Sequence, residues 1–175
     1  VQEQAIICRT IDETNEDIVF LVYAVTNDKI TDLHERFLSA FWEEEIDESG
    51  SLEASAQKRP MIPRKKIQAY LARIEGTDFS ESERLDVTQT IHKAYSGFVH
   101  GAAPHLLELY GGNPPHFHTA GLLGTPRMAE YGEDLWNYVY RSLLSHVFVA
   151  KALGAEAHVE ALTKKIAVFE ANAGM

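Results

Sequence analysis

The sequence predicts an all-α protein, an up-and-down bundle of five or six helices in a single domain over residues 1–175, and three observations predict it. Apolar residues recur at spacings of three, four and seven along most of the chain. No stretch sustains the apolar–polar alternation of a half-buried strand. Helix start and stop signals bracket the periodic runs, among them Ser80 with Glu83, Thr125 with Pro126, Gly101 and Gly154.

The first helix is expected from about residue 3 to 26, with Ile7, Ile11, Ile18, Leu21 or Val22, and Val25 forming an apolar stripe and Arg9, Glu13 and Glu16 pointing away from it. A second begins near Thr31, an N-cap candidate followed by acids, and carries Leu33, Phe37, Phe41 and Ile46 to about Asp47. Residues 48–62 turn to Ser, Gly, Ala and Gln with Pro60 and read as a mobile loop. Pro63 stands at a first-turn position for a short third helix through Ile67, Tyr70, Leu71 and Ile74, which Gly76 stops. Ser80 and Glu83 form a capping-box pattern for a fourth helix to about His100, and Gly101 permits a break.

Pro104 opens a short helical piece from His105 to Tyr110, ended by Gly111 and Gly112. Residues 111–125 are too rich in Gly and Pro to continue a helix and predict an ordered loop or lid, stiffened by Asn113-Pro114-Pro115. Pro126 to Leu153 then forms a long helix, apolar over most of its circumference and so expected to be central, and a last helix runs from Ala155 to about Glu170. Trp42 and Trp136 are expected as core or interface anchors, and Cys8 as a small buried hydrophobe.

Composition bounds the rest. The chain has 175 residues, 45% of them apolar, enough for a real core that buries roughly 70% of the unfolded surface. Its longest apolar run, Ile18 to Val25, is far below the roughly 20 residues that span a bilayer, so no transmembrane helix and no membrane partner is expected. Val1 in place of Met allows a longer precursor, but residues 1–17 read as charged helix and not as a signal peptide. One cysteine excludes a disulfide within the chain and makes the cytoplasm the default compartment. A net charge of −10, from 26 acids against 16 bases, opposes any general attraction to nucleic acid. The exception is a basic run, Lys58, Arg59, Arg64, Lys65 and Lys66, which follows an acidic one from Glu43 to Glu48. At the start of the third helix the basic run suits a phosphate.

Three groups of residues are candidates for chemistry. On the long helix Asp134, Asn137, Arg141 and Ser145 share a polar stripe that either faces water or lines a site. His92, His100, His105, His116 and His118 lie within one region, and His105, His116 and His118 are weak metal-ligand candidates, since the common metal spacings are absent. His100 can serve as general acid or base, with Lys93 seven residues earlier on the same helix face as its cationic partner. The alternative cation, Arg141, lies about 140° around its helix from His146.

The segment Ile91-His92-Lys93-Ala94-Tyr95-Ser96-Gly97-Phe98-Val99-His100-Gly101 resembles the Tyr, Ser and terminal His-Gly segment of HEPN-like helical domains, a bacterial superfamily that includes abortive-infection and toxin proteins. Cys8-Arg9-Thr10-Ile11-Asp12-Glu13 is similar to an Arg and Glu pair near the start of abortive-infection-type members. The resemblance implies a metal-independent RNase, or an RNA-binding protein, with no cofactor. His100 would be the base and Lys93 would stand at the arginine position, a departure because an ammonium lacks the planar fork that engages phosphate. It further implies a homodimer with His100, Lys93, Arg141 and Asn137 converging near the twofold axis. Two other classes compete: a non-catalytic helical module that binds a protein or small ligand through the 111–125 loop and the aromatic long helix, and a metal-dependent hydrolase using His100, His105, His116 and His118.

Overall fold

The computed structural model describes residues 2–42, 61–74, 80–122, 125 and 127–173. Within them the chain forms α1 (Gln2–Thr26), α2 (Asp32–Trp42), α3 (Arg64–Ala72), α4 (Glu81–Val99), α5 (Ala103–Leu107), β1 (Tyr110–Gly111), β2 (His116–Phe117), α6 (Arg127–Ala152) and α7 (Glu156–Ala173). The all-α class holds, and among the described residues no helix is long and apolar enough to cross a membrane. The acidic run, Lys58, Arg59 and Gly76 lie outside the described residues.

Local chemistry fixes most boundaries. At α4 the capping box is complete: the Glu83 backbone N–H donates to Ser80 Oγ at 3.3 Å, and the Ser80 N–H donates to Glu83 Oε2 at 2.9 Å. Gly101 and Gly154 adopt φ of +63° and +66° just beyond α4 and α6, the left-handed geometry that ends helices at glycine. Pro63 is the N-cap of α3, one position earlier than the first-turn placement its sequence suggests. In the 111–125 loop β1 and β2 pair antiparallel, Tyr110 with Phe117 and Gly111 with His116, a small hairpin inside an otherwise helical fold.

The central helix is α1, not the long α6. It packs on α6, α4, α3 and, more lightly, α2, whereas α6 packs on α1 and α7. Contacts order the directions: Gln4 meets Tyr131 and Asp12 meets Arg141, so α1 and α6 run the same way. Trp136 and Tyr140 of α6 both pack on Phe169 of α7, and Arg84 of α4 bonds to the Ala72 carbonyl of α3.

The inward face of α1 carries Ala5, Cys8, Asp12, Asn15, Glu16, Phe20 and Ala24, all buried and, apart from the adjacent Asn15 and Glu16, spaced by three or four. Glu16, assigned outward by the apolar stripe, is only 8% exposed, while Ile7 and Val25 of that stripe are exposed. Small and polar side chains take the inside because α6, α4 and α3 approach α1 closely and bring Arg141, His92 and Arg64 to its carboxylates. Trp42 lies on the surface at 78% exposure and is no core anchor, whereas Trp136, also exposed, packs tilted against Phe169 at 4.2 Å between ring centroids.

Candidate functional site

Where α4 and α6 pass along α1 they meet through Tyr95 and Tyr138, whose rings lie edge to face at 5.8 Å, and burial holds both phenols above their ordinary pKa. Nearby, α3 packs on both α1 and α4. The result is a cavity of about 590 Å³ lined by α1, α3, α4 and α6. Val19, Leu71, Val87, Ile91, Leu144 and Phe148 give it an apolar wall. Its polar end is built from Asp12, Asn15, Glu16, Gln68, Arg141 and Ser145.

That end follows from helical spacing. Asp12, Asn15 and Glu16 stand at i, i+3 and i+4 on α1 and so share one face. His92 of α4 reaches the same place, its Nε2 3.1 Å from Glu16 Oε1 and 3.9 Å from Asp12 Oδ2, with Nδ1 3.8 Å from Glu13 Oε1. The hydrogen bond with Glu16 raises the imidazole pKa against the opposing effect of burial, and the charges of Glu16, Asp12 and Glu13 add to the rise.

Two guanidinium groups pair with the α1 carboxylates. Arg141 Nη2 lies 2.6 Å from Asp12 Oδ1, and Arg64 grips Asp17 at 2.5 and 3.2 Å while its Nη1 lies 3.6 Å from Glu16 Oε2. Burial opposes the Arg64 charge, but the Asp17 hydrogen bond and the nearby carboxylates outweigh it and raise the guanidinium pKa. Asn15, 5% exposed, has no hydrogen-bond partner for its Nδ2 among the described residues.

The residues singled out by sequence divide. Arg141 and Ser145 line the cavity, so half of the polar stripe faces a site, while Asp134 and Asn137 are exposed. His100 is the C-cap of α4, its N–H donating to the Ser96 carbonyl at 3.0 Å, and both His100 and Lys93 are exposed and outside the cavity lining. His105 packs on Phe98 at 4.0 Å and lies 3.7 Å from Glu108. His116 and His118 face each other on the hairpin with ring centroids 4.5 Å apart. Among the described residues, the group that brings three metal-ligating atoms within 4.8 Å of one another is Asp12, Glu16 and His92, and it includes none of His100, His105, His116 and His118. Of the basic run, Arg64 is committed to the α1 carboxylates, and Lys65 and Lys66 are exposed on the first turn of α3.

The features missed by sequence are the buried Asp12, Asn15 and Glu16 and the role of His92. One signal for them is present: polar residues at i, i+3 and i+4 inside a helix with apolar residues on both flanks. Comparison with protein families, with curated proteins and with solved structures finds no match to this chain.

Proposed function

We propose that the chain is a helical ligand-binding module whose cavity takes one small molecule with an apolar body and a polar head, the head at the Asp12, Asn15 and Glu16 end. The observation that carries this reading is the cavity itself, with its apolar wall and convergent buried polar groups. Its volume, about 590 Å³, falls within the range of small-molecule sites, roughly 300–1,000 Å³. The uncharged fluorescent probe N-phenyl-1-naphthylamine tests it. One probe should bind saturably per chain, and Leu144→Trp, which fills the wall, should abolish that binding while leaving the helical circular dichroism unchanged. Non-saturable fluorescence equal in both proteins would place the probe on exposed apolar surface and overturn the reading.

A second reading, RNA binding or metal-independent cleavage in a HEPN-like domain, is favoured by one juxtaposition: His92 and Arg141 flank Asp12 at 3.9 and 2.6 Å. An imidazole for proton transfer and a guanidinium for phosphate charge are the groups that such chemistry uses. In this form His92 takes the place of His100, and Arg141 that of Lys93. Cleavage of labelled single-stranded RNA in EDTA should then survive His100→Ala and be lost in His92→Ala. Activity lost in His100→Ala alone would instead return the base to the end of α4.

A further inference from the structure

We propose that Asp12, Glu16 and His92 form a binding site for one divalent transition-metal ion such as Zn²⁺ or Co²⁺, whichever organic ligand the cavity holds. Three potential ligand atoms face one another here. His92 Nε2 lies 3.1 Å from Glu16 Oε1 and 3.9 Å from Asp12 Oδ2. A tetrahedral ion with bonds of about 2.1 Å to nitrogen and oxygen holds neighbouring ligand atoms about 3.4 Å apart. Those two separations bracket that spacing, and all three ligand atoms lie within 4.8 Å of one another before any ion arrives. Two carboxylate oxygens and an imidazole make three protein ligands, leaving a fourth position for a water.

The atoms that turn away from this centre are also held. Asp12 Oδ1 is paired with Arg141 at 2.6 Å, Glu16 Oε2 lies 3.6 Å from Arg64, and His92 Nδ1 lies 3.8 Å from Glu13 Oε1. A carboxylate behind the distal nitrogen of a ligating histidine, and partners behind ligating carboxylates, are the supports that orient metal ligands. Arg9, 2.8 Å from Glu13, and Gln68, 3.5 Å from Glu16 Oε1, complete the surroundings.

A separate observation points to a ligand at the same end of the cavity. Asn15 is nine-tenths buried, lines the cavity on the face that carries Asp12 and Glu16, and leaves its amide nitrogen without a partner. An orphaned buried amide is costly, and a water bound to the open metal position would partner it, in either amide orientation. The rival occupant is a proton on His92, which satisfies the same carboxylates and needs no ion.

Titration of the full chain with Co²⁺ and with Zn²⁺ separates the two. One equivalent of Co²⁺ should bind with visible ligand-field absorption, and calorimetry should give one tight Zn²⁺ site. Glu16→Gln and His92→Gln should each weaken the Zn²⁺ site at least roughly tenfold, the loss seen even for supporting residues around a metal. His116→Ala/His118→Ala should leave it intact. If the wild type takes up no Co²⁺, or if the tight Zn²⁺ site survives in His92→Gln and vanishes in the His116/His118 variant, the proposal is overturned. Should the cluster variants fail to fold, the wild-type Co²⁺ spectrum and a Zn²⁺-dependent rise in melting temperature, unchanged in the His116/His118 variant, still decide it.

Discussion

The His34 ring lies buried against Phe20, stacked at 4.0 Å between centroids, and its Nδ1 receives the Thr31 backbone N–H at 3.1 Å. Burial lowers its pKa below the ordinary 6.5, and the nearby backbone of Phe20 and Thr31 offsets only part of the fall. The sign follows from linkage. Above pH 6.5 the ring is neutral in both folded and unfolded chains; below it the unfolded chain takes up the proton first, so stability is lost as the pH falls toward the folded value. His92 acts in the opposite direction, since its raised pKa contributes stability at low pH that is lost as the pH rises through its folded value. Urea midpoints of wild type should therefore drop more steeply from pH 7 to pH 5 than those of His34→Phe. Parallel profiles would remove His34 as the cause.

Gly97 sits against a side chain of another element. It lies within α4, where alanine would ordinarily add about 1 kcal/mol of helix stability. A Cβ there would overlap Nε2 of His105, whose ring packs on Phe98. Gly97→Ala should accordingly lower the melting temperature of wild type, yet raise that of His105→Ala. Thermal melts of the four proteins check it, and a stabilising Gly97→Ala in wild type would contradict the contact. Gly97 was visible in the sequence only as part of a pattern around His100, because its reason for being glycine sits eight residues away on another element.

Among the elements, α4 was the most legible, since its start depends on neighbours in sequence. Ser80→Ala removes the side-chain acceptor of the capping box and should cost about 1 kcal/mol, read as a lower urea midpoint with an unchanged slope. Serine to threonine should keep most of it. The α6 and α7 helices were similarly readable, both flanking the left-handed Gly154. The faces of α1 were not. Long apolar side chains such as Ile7 and Val25 dominate any stripe drawn by hydrophobicity, but they end on the surface, and the inside belongs to Ala5, Cys8, Asp12 and Glu16. Small residues face inward where helices approach closely, and carboxylates do so where cations from other helices meet them. Neither cause is local, so the candidate site was legible only through Arg141 and Ser145 of the polar stripe and the concentration of histidines that contains His92.

At the scale of the molecule, the consequence is that a residue only two turns from the start of α1 is among the most protected. Cys8 is 1% exposed, and burial first, then the charges of Asp134 and Asp12, push its thiol pKa up. It is held between helices distant in sequence: α1 contacts α2, α3, α4 and α6, and ahead of Cys8 Gln4 donates to the Tyr131 carbonyl at 2.5 Å. Helix ends normally fray independently of the rest of a fold, and labelling by local opening depends little on denaturant. If α1 is the shared core of the molecule, its first turns cannot leave without separating α6 and α4 as well. Reaction of Cys8 with an aromatic disulfide reagent should then be slow in native buffer. The opening free energy from its rate should fall with urea along the same slope as the global unfolding transition. A shallow slope would make the first two turns of α1 a separately opening segment, and Gln4→Ala would then leave the labelling rate unchanged instead of accelerating it.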